Sequence, residues 1–270
     1  MRKPAGSIVV DLSALWAGPL CGDLLAGTGA TVIKVESPDR PDGARRGPAA
    51  FFDLLNGRKR SVALDFRTAE GATALHALLG RADVVIEASR PRALEQLGVH
   101  AAEVVRGGGP QVWVSITGYG RTDASSRVAF GDDAAAGGGL VVWHEGAPMF
   151  CADAVADPIS GLTAANACLD ALASGGRWLL DVSMAGAFNY SEESFSADGT
   201  AANVLLPIGG QACQLQLVDI HLDATTASLD PTRFNGQIRI ITSTPRPETC
   251  VCQAWFEYQA SLSNSQSICP

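Results

Sequence analysis

Charge is scarce in this 270-residue chain: Asp, Glu, Lys and Arg make up 18% of it, and aromatic residues only 6%. Basic residues are outnumbered, 20 against 28, leaving a net charge of -8. That balance argues against a nucleic-acid partner, because phosphate backbones are held by clustered positive surface. Long apolar runs are missing too. No stretch approaches the ~20 residues that a membrane span requires, so no membrane association is expected. Met1-Arg2-Lys3 is basic, but the apolar run behind it is short and ends at Asp11, unlike the core of a secretory signal. A cytoplasmic setting is the expectation.

Metal and hydrolase signatures are also lacking. The four histidines, His76, His100, His144 and His221, are scattered without ligand spacing. Cys250, Cys252 and Cys269 fit no standard zinc pattern, so no metal is expected. Cys21, Cys151 and Cys168 stand among apolar or small residues and read as ordinary buried thiols. There is no G-x-S-x-G elbow.

What the chain does have is alternation. Ile8 to Leu12 and Thr31 to Glu36 are short apolar runs of the kind buried on both faces of a parallel sheet. Between them, Leu20 to Gly27 carries apolar residues at helical spacing. Arg60 to Phe66 resumes strand character after a loop rich in Pro, Gly, Asp and Arg. A helix from Thr68 through Leu79 follows, then strands at Ala82–Glu87 and Gln111–Thr117. A helix from Asp157 through Ala171 and a strand at Trp178–Val182 complete the series. Such alternation predicts an α/β fold: a doubly wound, mostly parallel, Rossmann-like sheet with helices on both faces. Residues 1–190 form this region. Over 191–270, Ser, Thr and Gln rise and four cysteines appear. This atypical tail reads as irregular, with strand-like pieces at Leu215–Val218 and Gln237–Ile241.

Three features bear on chemistry. The first βα turn, Gly18-Pro19-Leu20-Cys21-Gly22, has two of the glycines of a dinucleotide fingerprint with a Pro in the way. Glu36 sits where a ribose-binding acid would, but the match is partial, and Pro19 reads more simply as a first-turn proline. Basic residues gather at Lys34, at Arg45, Arg46, Arg58, Lys59 and Arg60, and at Arg90 and Arg92. Loops after parallel strands meet at one sheet edge, so together these favour a phosphate-bearing ligand. Finally, Asp157 stands before Pro158 at the start of a helix. Alone it reads as an N-cap; an aspartate held ionised at a positive helix end is also what a nucleophilic carboxylate requires.

In order along residues 7 to 188, these segments resemble the family III coenzyme A transferases, which include the α-methylacyl-CoA racemases and carnitine CoA-transferase-like enzymes. The likeness rests on Val10-Asp11-Leu12-Ser13 with Ala17-Gly18-Pro19, on Gly29 to Glu36, and on Asn56-Gly57-Arg58-Lys59-Arg60-Ser61-Val62. It continues through Ala82 to Glu87, Arg90-Pro91, Leu94 to Gly98, Ser115 to Gly120, Ala156 to Gly161 and Leu180 to Met184.

The resemblance implies that Asp157 is the catalytic aspartate. It implies transfer of coenzyme A between an acyl-CoA and a carboxylic acid through an aspartyl anhydride and thioester. Coenzyme A is then substrate and no cofactor is needed. Lys34, Arg58 and Arg90 are the candidate coenzyme A contacts. In the racemases, a histidine before the aspartate shares proton transfer; here that position is Asp132, which counts against racemase chemistry unless Asp132 substitutes. Arg92 stands where the family has Gly, Gln96 where it often has Arg, and Ala88-Ser89 where Asn-Phe is common, implying altered coenzyme A contacts. Family members run past this length into a second, smaller domain and form interlocked homodimers. Residues 191–270 lack that pattern, and truncation or a frameshift is one expectation. A racemase and a non-catalytic coenzyme A-binding fragment are the alternatives to a transferase.

Overall fold

Each short apolar run of the first 190 residues becomes a strand, and the segment after it returns the chain to the same edge. In this computed structural model, residues 4–89, 91–121, 127–144, 146–188, 201–208, 211–218 and 237–242 are described. β1 (Ile8–Asp11) passes through α1 (Ala17–Gly27) into β2 (Thr31–Glu36). A 3-10 turn (Gly43–Arg46) and α2 (Ala49–Asn56) lead to β3 (Arg60–Ala63). α3 (Ala69–Arg81) leads to β4 (Val84–Glu87), and α4 (Pro91–Glu95) with α5 (Ala101–Arg106) to β5 (Val112–Thr117). Next come α6 (Gly131–Gly137) and an antiparallel hairpin of β6 (Val141–His144) and β7 (Ala147–Phe150). α7 (Ala156–Ser174) and β8 (Trp178–Ser183) close the unit.

The main sheet runs β3-β2-β1-β4-β5-β8, and every pairing in it is parallel. Chain order reverses between β1 and β4, as a doubly wound sheet requires. The central strands are apolar on both faces: Val9, Val10, Val84, Val85, Val112, Trp113 and Val114 are all buried. On one face, Leu75 and Leu79 of α3 pack with Val10, Val35, Val85 and Trp113. Thr68 caps α3 by accepting the Gly71 N–H at 3.0 Å.

On the other face, α1 and α7 pack together, and small residues let them approach closely. α7 buries Ala156, Gly161, Ala164, Ala165 and Ala171, while α1 buries Ala17, Gly18 and Gly22. A Cβ added at Gly161 would lie 2.6 Å from the Ala17 carbonyl oxygen and 3.1 Å from Leu20. Gly161→Ala is therefore expected to wedge the helices apart and cost about 1–3 kcal/mol. A fall in urea midpoint at constant slope would show it; an unchanged midpoint would mean the contact has slack.

The chain divides into two compact units, Met1–Asn189 and Tyr190–Pro270. In the second, β9 (Ala201–Ile208), β10 (Gln211–Val218) and β11 (Gln237–Thr242) form an antiparallel sheet in the order β11-β10-β9. Gln214, Leu215, Gln216 and Leu217 alternate with period two, as strands of an antiparallel sheet do. The two strand-like runs read from sequence fall within β10 and β11.

Candidate active site

Chain order reverses between β1 and β4, and the carboxyl ends of the strands at such a point are where doubly wound sheets bind ligands. The Leu12 N–H donates to the Ile86 carbonyl at 2.8 Å, keeping the two strand ends together. α1 begins over this edge: a Cβ on Gly18 would sit 3.6 Å from Cβ of Ala88, just past β4. Because α7 crosses α1 so closely near its start, the first turn of α7 is brought to the first turn of α1.

Asp157 is the second residue of α7 and does not cap it; its own N–H donates to the Ala154 carbonyl at 2.9 Å. The N-cap reading of its side chain is thereby replaced by a tertiary one. The half-buried carboxylate accepts the backbone N–H groups of Ala17, at the start of α1, and of Gly131, at the start of α6. Burial pushes its pKa up from 3.8 to about 6. The two N–H bonds pull it down, while the neighbouring Asp132 and Asp153 charges push it up. The outcome is a carboxylate that is ionised at neutral pH yet more basic than an ordinary aspartate. Among described non-glycine residues, only Leu15 (φ 70°) and Ala154 (φ 47°) take left-handed backbone. One lies two residues before Ala17 and the other holds the Asp157 N–H, so the local strain collects at this site.

The basic residues do not gather around Asp157 as a set. Lys34 is 1% exposed; its ammonium pairs with Asp42 at 2.7 Å and donates to the Ser13 carbonyl at 3.0 Å. That places it in the interior, bracing the β1–α1 loop, rather than on a ligand-facing surface. Lys59 is likewise internal, bonded to Asp11 at 2.8 Å, the Pro19 carbonyl at 2.7 Å and Asn56 at 3.0 Å. Burial raises the pKa of Asp11, but the Lys59 and Lys34 charges and the bonds from Lys59 and Ser13 outweigh it, leaving the carboxyl below its ordinary value. Arg58 has a 59% exposed side chain and grips Asp23 of α1 through Nε at 2.9 Å and through Nη2. Arg90 lies outside the described residues. Glu36 is occupied by Arg45, whose two bonds to it hold its pKa down at about 2.

A second polar cluster, not foreseen from the sequence, stands at the ends of β4, β5 and β8. Glu87 accepts from Arg121 at 2.6 Å and from the Trp113 indole at 3.1 Å, and burial raises its pKa. Arg121 also donates to Ser115, and its backbone N–H to Asp181. Among the described residues, no group of three or more His, Cys, Asp or Glu could hold a metal ion. No helix there is long and apolar enough to cross a membrane.

The sequence pattern of CoA-transferase family III matches residues 5–221 of the chain. The chain belongs to that family. The match runs past residue 190, further than the likeness read from the motifs. Among curated proteins, the family chain is 36% identical over 191 residues to succinate–glutarate CoA-transferase of Agrobacterium fabrum, covering 63% of itself and 48% of that protein. It is 34% identical over 140 residues to succinyl-CoA–D-citramalate CoA-transferase of Chloroflexus aurantiacus, covering 49% of itself and 35% of the other. Among solved structures, it resembles a CAIB/BAIF family protein from Brucella suis with a TM-score of 0.62 and 31% identity. That match covers 70% of this chain and 55% of the Brucella protein. The chain thus spans about half, or less, of the curated relatives it matches.

Proposed function

We propose that this family III chain transfers coenzyme A between an acyl-CoA and a carboxylic acid, with Asp157 as nucleophile. The observation that carries the reading is the half-buried Asp157 carboxylate at the sheet's reversal point, held by the Ala17 and Gly131 N–H groups. A carboxylate oxygen of Asp157 attacks the donor thioester carbon. The C–S bond breaks, coenzyme A leaves as thiolate, and a mixed anhydride remains. The thiolate then attacks Cγ of Asp157, releasing the donor acid and leaving an aspartyl thioester. The acceptor carboxylate attacks Cγ in turn and expels the thiolate again. That thiolate takes the acceptor acyl group and frees the aspartate. N–H groups fixed beside Cγ are suited to the oxyanions that form there.

This sequence needs no cofactor beyond coenzyme A as substrate. Arg58, with its exposed side chain, is proposed to meet a coenzyme A phosphate once it shares or releases Asp23, and Arg90 is proposed as a further contact. Lys34 contributes by bracing the β1–α1 loop rather than by direct contact. A cytoplasmic homodimer remains part of the proposal.

Only the ionised carboxylate attacks, so adduct formation is expected to rise with pH through about 6. Below that midpoint the rate falls about tenfold per pH unit. Single-turnover rates with an acyl-CoA between pH 4.5 and 8 check this, and a midpoint near 4 would remove the raised-pKa nucleophile. Racemase chemistry is favoured by one observation alone, the Asp132 charge near Asp157. Deuterium exchange at the acyl α-carbon without an acceptor acid separates the two. Calorimetry with coenzyme A, set beside a turnover assay, separates catalysis from binding alone.

A further inference from the structure

The loop before α7 is built in an unusual way. Ala154 has a left-handed backbone, φ 47°, where glycine would ordinarily stand. Its carbonyl accepts the Asp157 N–H at 2.9 Å and so sets the first turn of α7. Its own N–H donates to Oδ1 of Asp132 at 2.7 Å, across 22 residues of chain. Next to Asp132, Gly131 leaves just enough room: a Cβ there would meet the Ala154 carbonyl oxygen at 2.4 Å and Asp157 Oδ2 at 2.3 Å. The start of α6 thus touches both the strained residue and the carboxylate.

We propose that Asp132 is a positioning residue for Asp157: its carboxylate holds Ala154 in the left-handed conformation, and the Ala154 carbonyl then fixes the α7 turn that aims Asp157 at its substrate. The proposal rests on the reading of Asp157 as the nucleophile. It gives Asp132 a task other than acid–base catalysis. An oxygen already committed to a backbone N–H is a fixed acceptor, and such an acceptor preserves a conformation that alanine would otherwise leave. Asp132 also contributes charge. Titratable groups on the elements packed around Asp157 include Asp132 and Asp133 of α6, Cys151 and Asp153 of the preceding loop, Cys21 and Asp23 of α1, with Asp23 engaged by Arg58, and Cys168 and Asp170 farther along α7.

Three variants separate position from charge. Asp132→Ala removes the acceptor and is expected to slow Asp157 acylation by roughly 100-fold, the scale of a misplaced reacting group. Asp132→Asn keeps an oxygen for the Ala154 N–H, so its rate stays within about tenfold of wild type. Its acid limb moves to lower pH, because one negative neighbour is gone. Adding Ala154→Gly to Asp132→Ala makes the left-handed backbone inexpensive and is expected to recover at least about tenfold of the lost rate. A role in folding alone would give no such recovery in protein that is already folded. An undiminished rate in Asp132→Ala, or no recovery in either the Asn or the glycine variant, overturns the proposal. Carbon-13 NMR titration of the Asp157 carboxyl, which needs no acyl chemistry, runs in parallel. Wild type that forms no adduct defeats the nucleophile reading. In that event the titration decides for Asp132, and an unmoved Asp157 midpoint in Asp132→Ala counts against it.

Discussion

Incubation with an acyl-CoA is expected to leave an aspartyl adduct at Asp157 that hydroxylamine converts to a hydroxamate, located by peptide mass spectrometry. Asp157→Ala abolishes this adduct and lowers coenzyme A transfer by at least ~1,000-fold, as loss of a covalent nucleophile does. Labelling elsewhere in wild type, or transfer that survives the substitution, would falsify the mechanism. The same carboxyl has a signature in stability. Holding it at about 6 rather than 3.8 sets its protonation states apart by about 3 kcal/mol. Because the folded pKa is raised, the associated stability is present below pH 4 and is lost as pH rises through about 6. Relative to Asp157→Asn, wild type should therefore lose about 3 kcal/mol of unfolding free energy between pH 4 and pH 8. Comparing the two proteins cancels the contribution of every other carboxylate. Equal pH slopes would mean that Asp157 titrates normally.

The second large effect is expected at Gly131. A methyl there has no place to go: the Asp157 oxygen is 2.3 Å away, and the Ala154 carbonyl oxygen and Cα are at 2.4 and 2.6 Å. Two of these atoms are backbone, so relief must come from moving the carboxylate or the α7 entry. Gly131→Ala should slow adduct formation by about 100-fold or more, since a displacement near 1 Å is enough to misalign an attacking group. It should also lower stability by about 1–3 kcal/mol. Position 131 does not need glycine for its backbone angle, so the effect is purely one of space. Replacement by Ala with wild-type rates would show that the start of α6 can yield, and the tight packing around Asp157 would lose its meaning. Paired with Gly161→Ala, which strains the α1–α7 contact instead of the start of α6, it tells a local displacement from a general loosening.

Much of the fold could be read from the residues. Uninterrupted apolar runs at Val9–Val10, Val84–Ile86 and Val112–Val114 can be buried only between two helical layers, and the strand count and parallel arrangement follow. What escaped were elements without an apolar stripe. α6, Gly-Asp-Asp-Ala-Ala-Ala-Gly, is short and polar at its start; it forms because Ala134 and Ala135 are buried by tertiary contact. α2 begins after Pro48, just past the Pro- and Gly-rich loop, in a stretch for which the sequence suggests no element, and β9 carries a Pro within its run. The candidate site was half legible. Asp157 stood out by its place before Pro158. Its partners did not, because a backbone N–H leaves no mark in a sequence and Ala17 and Gly131 lie 140 and 26 residues from it. Lys34 and Lys59 were misleading in the opposite sense. A lysine in the text is a cation, but whether it meets a ligand or an internal Asp depends on what the fold lays beside it.

By itself the sequence determined the kind of layer each segment joins, since burial on two faces or one is written in the spacing of apolar residues, and it placed the chain in its family. Only the tertiary structure decided which groups surround Asp157. The crossing of α1 and α7 at their small residues brings the Ala17 N–H to one oxygen pair, and the packing of α6 against α7 brings the Gly131 N–H and the Asp132 charge to the same place. Desolvation there raises a pKa that no local pattern could reveal, because the energy of a charge depends on everything within a few ångströms and hardly at all on its neighbours in the chain.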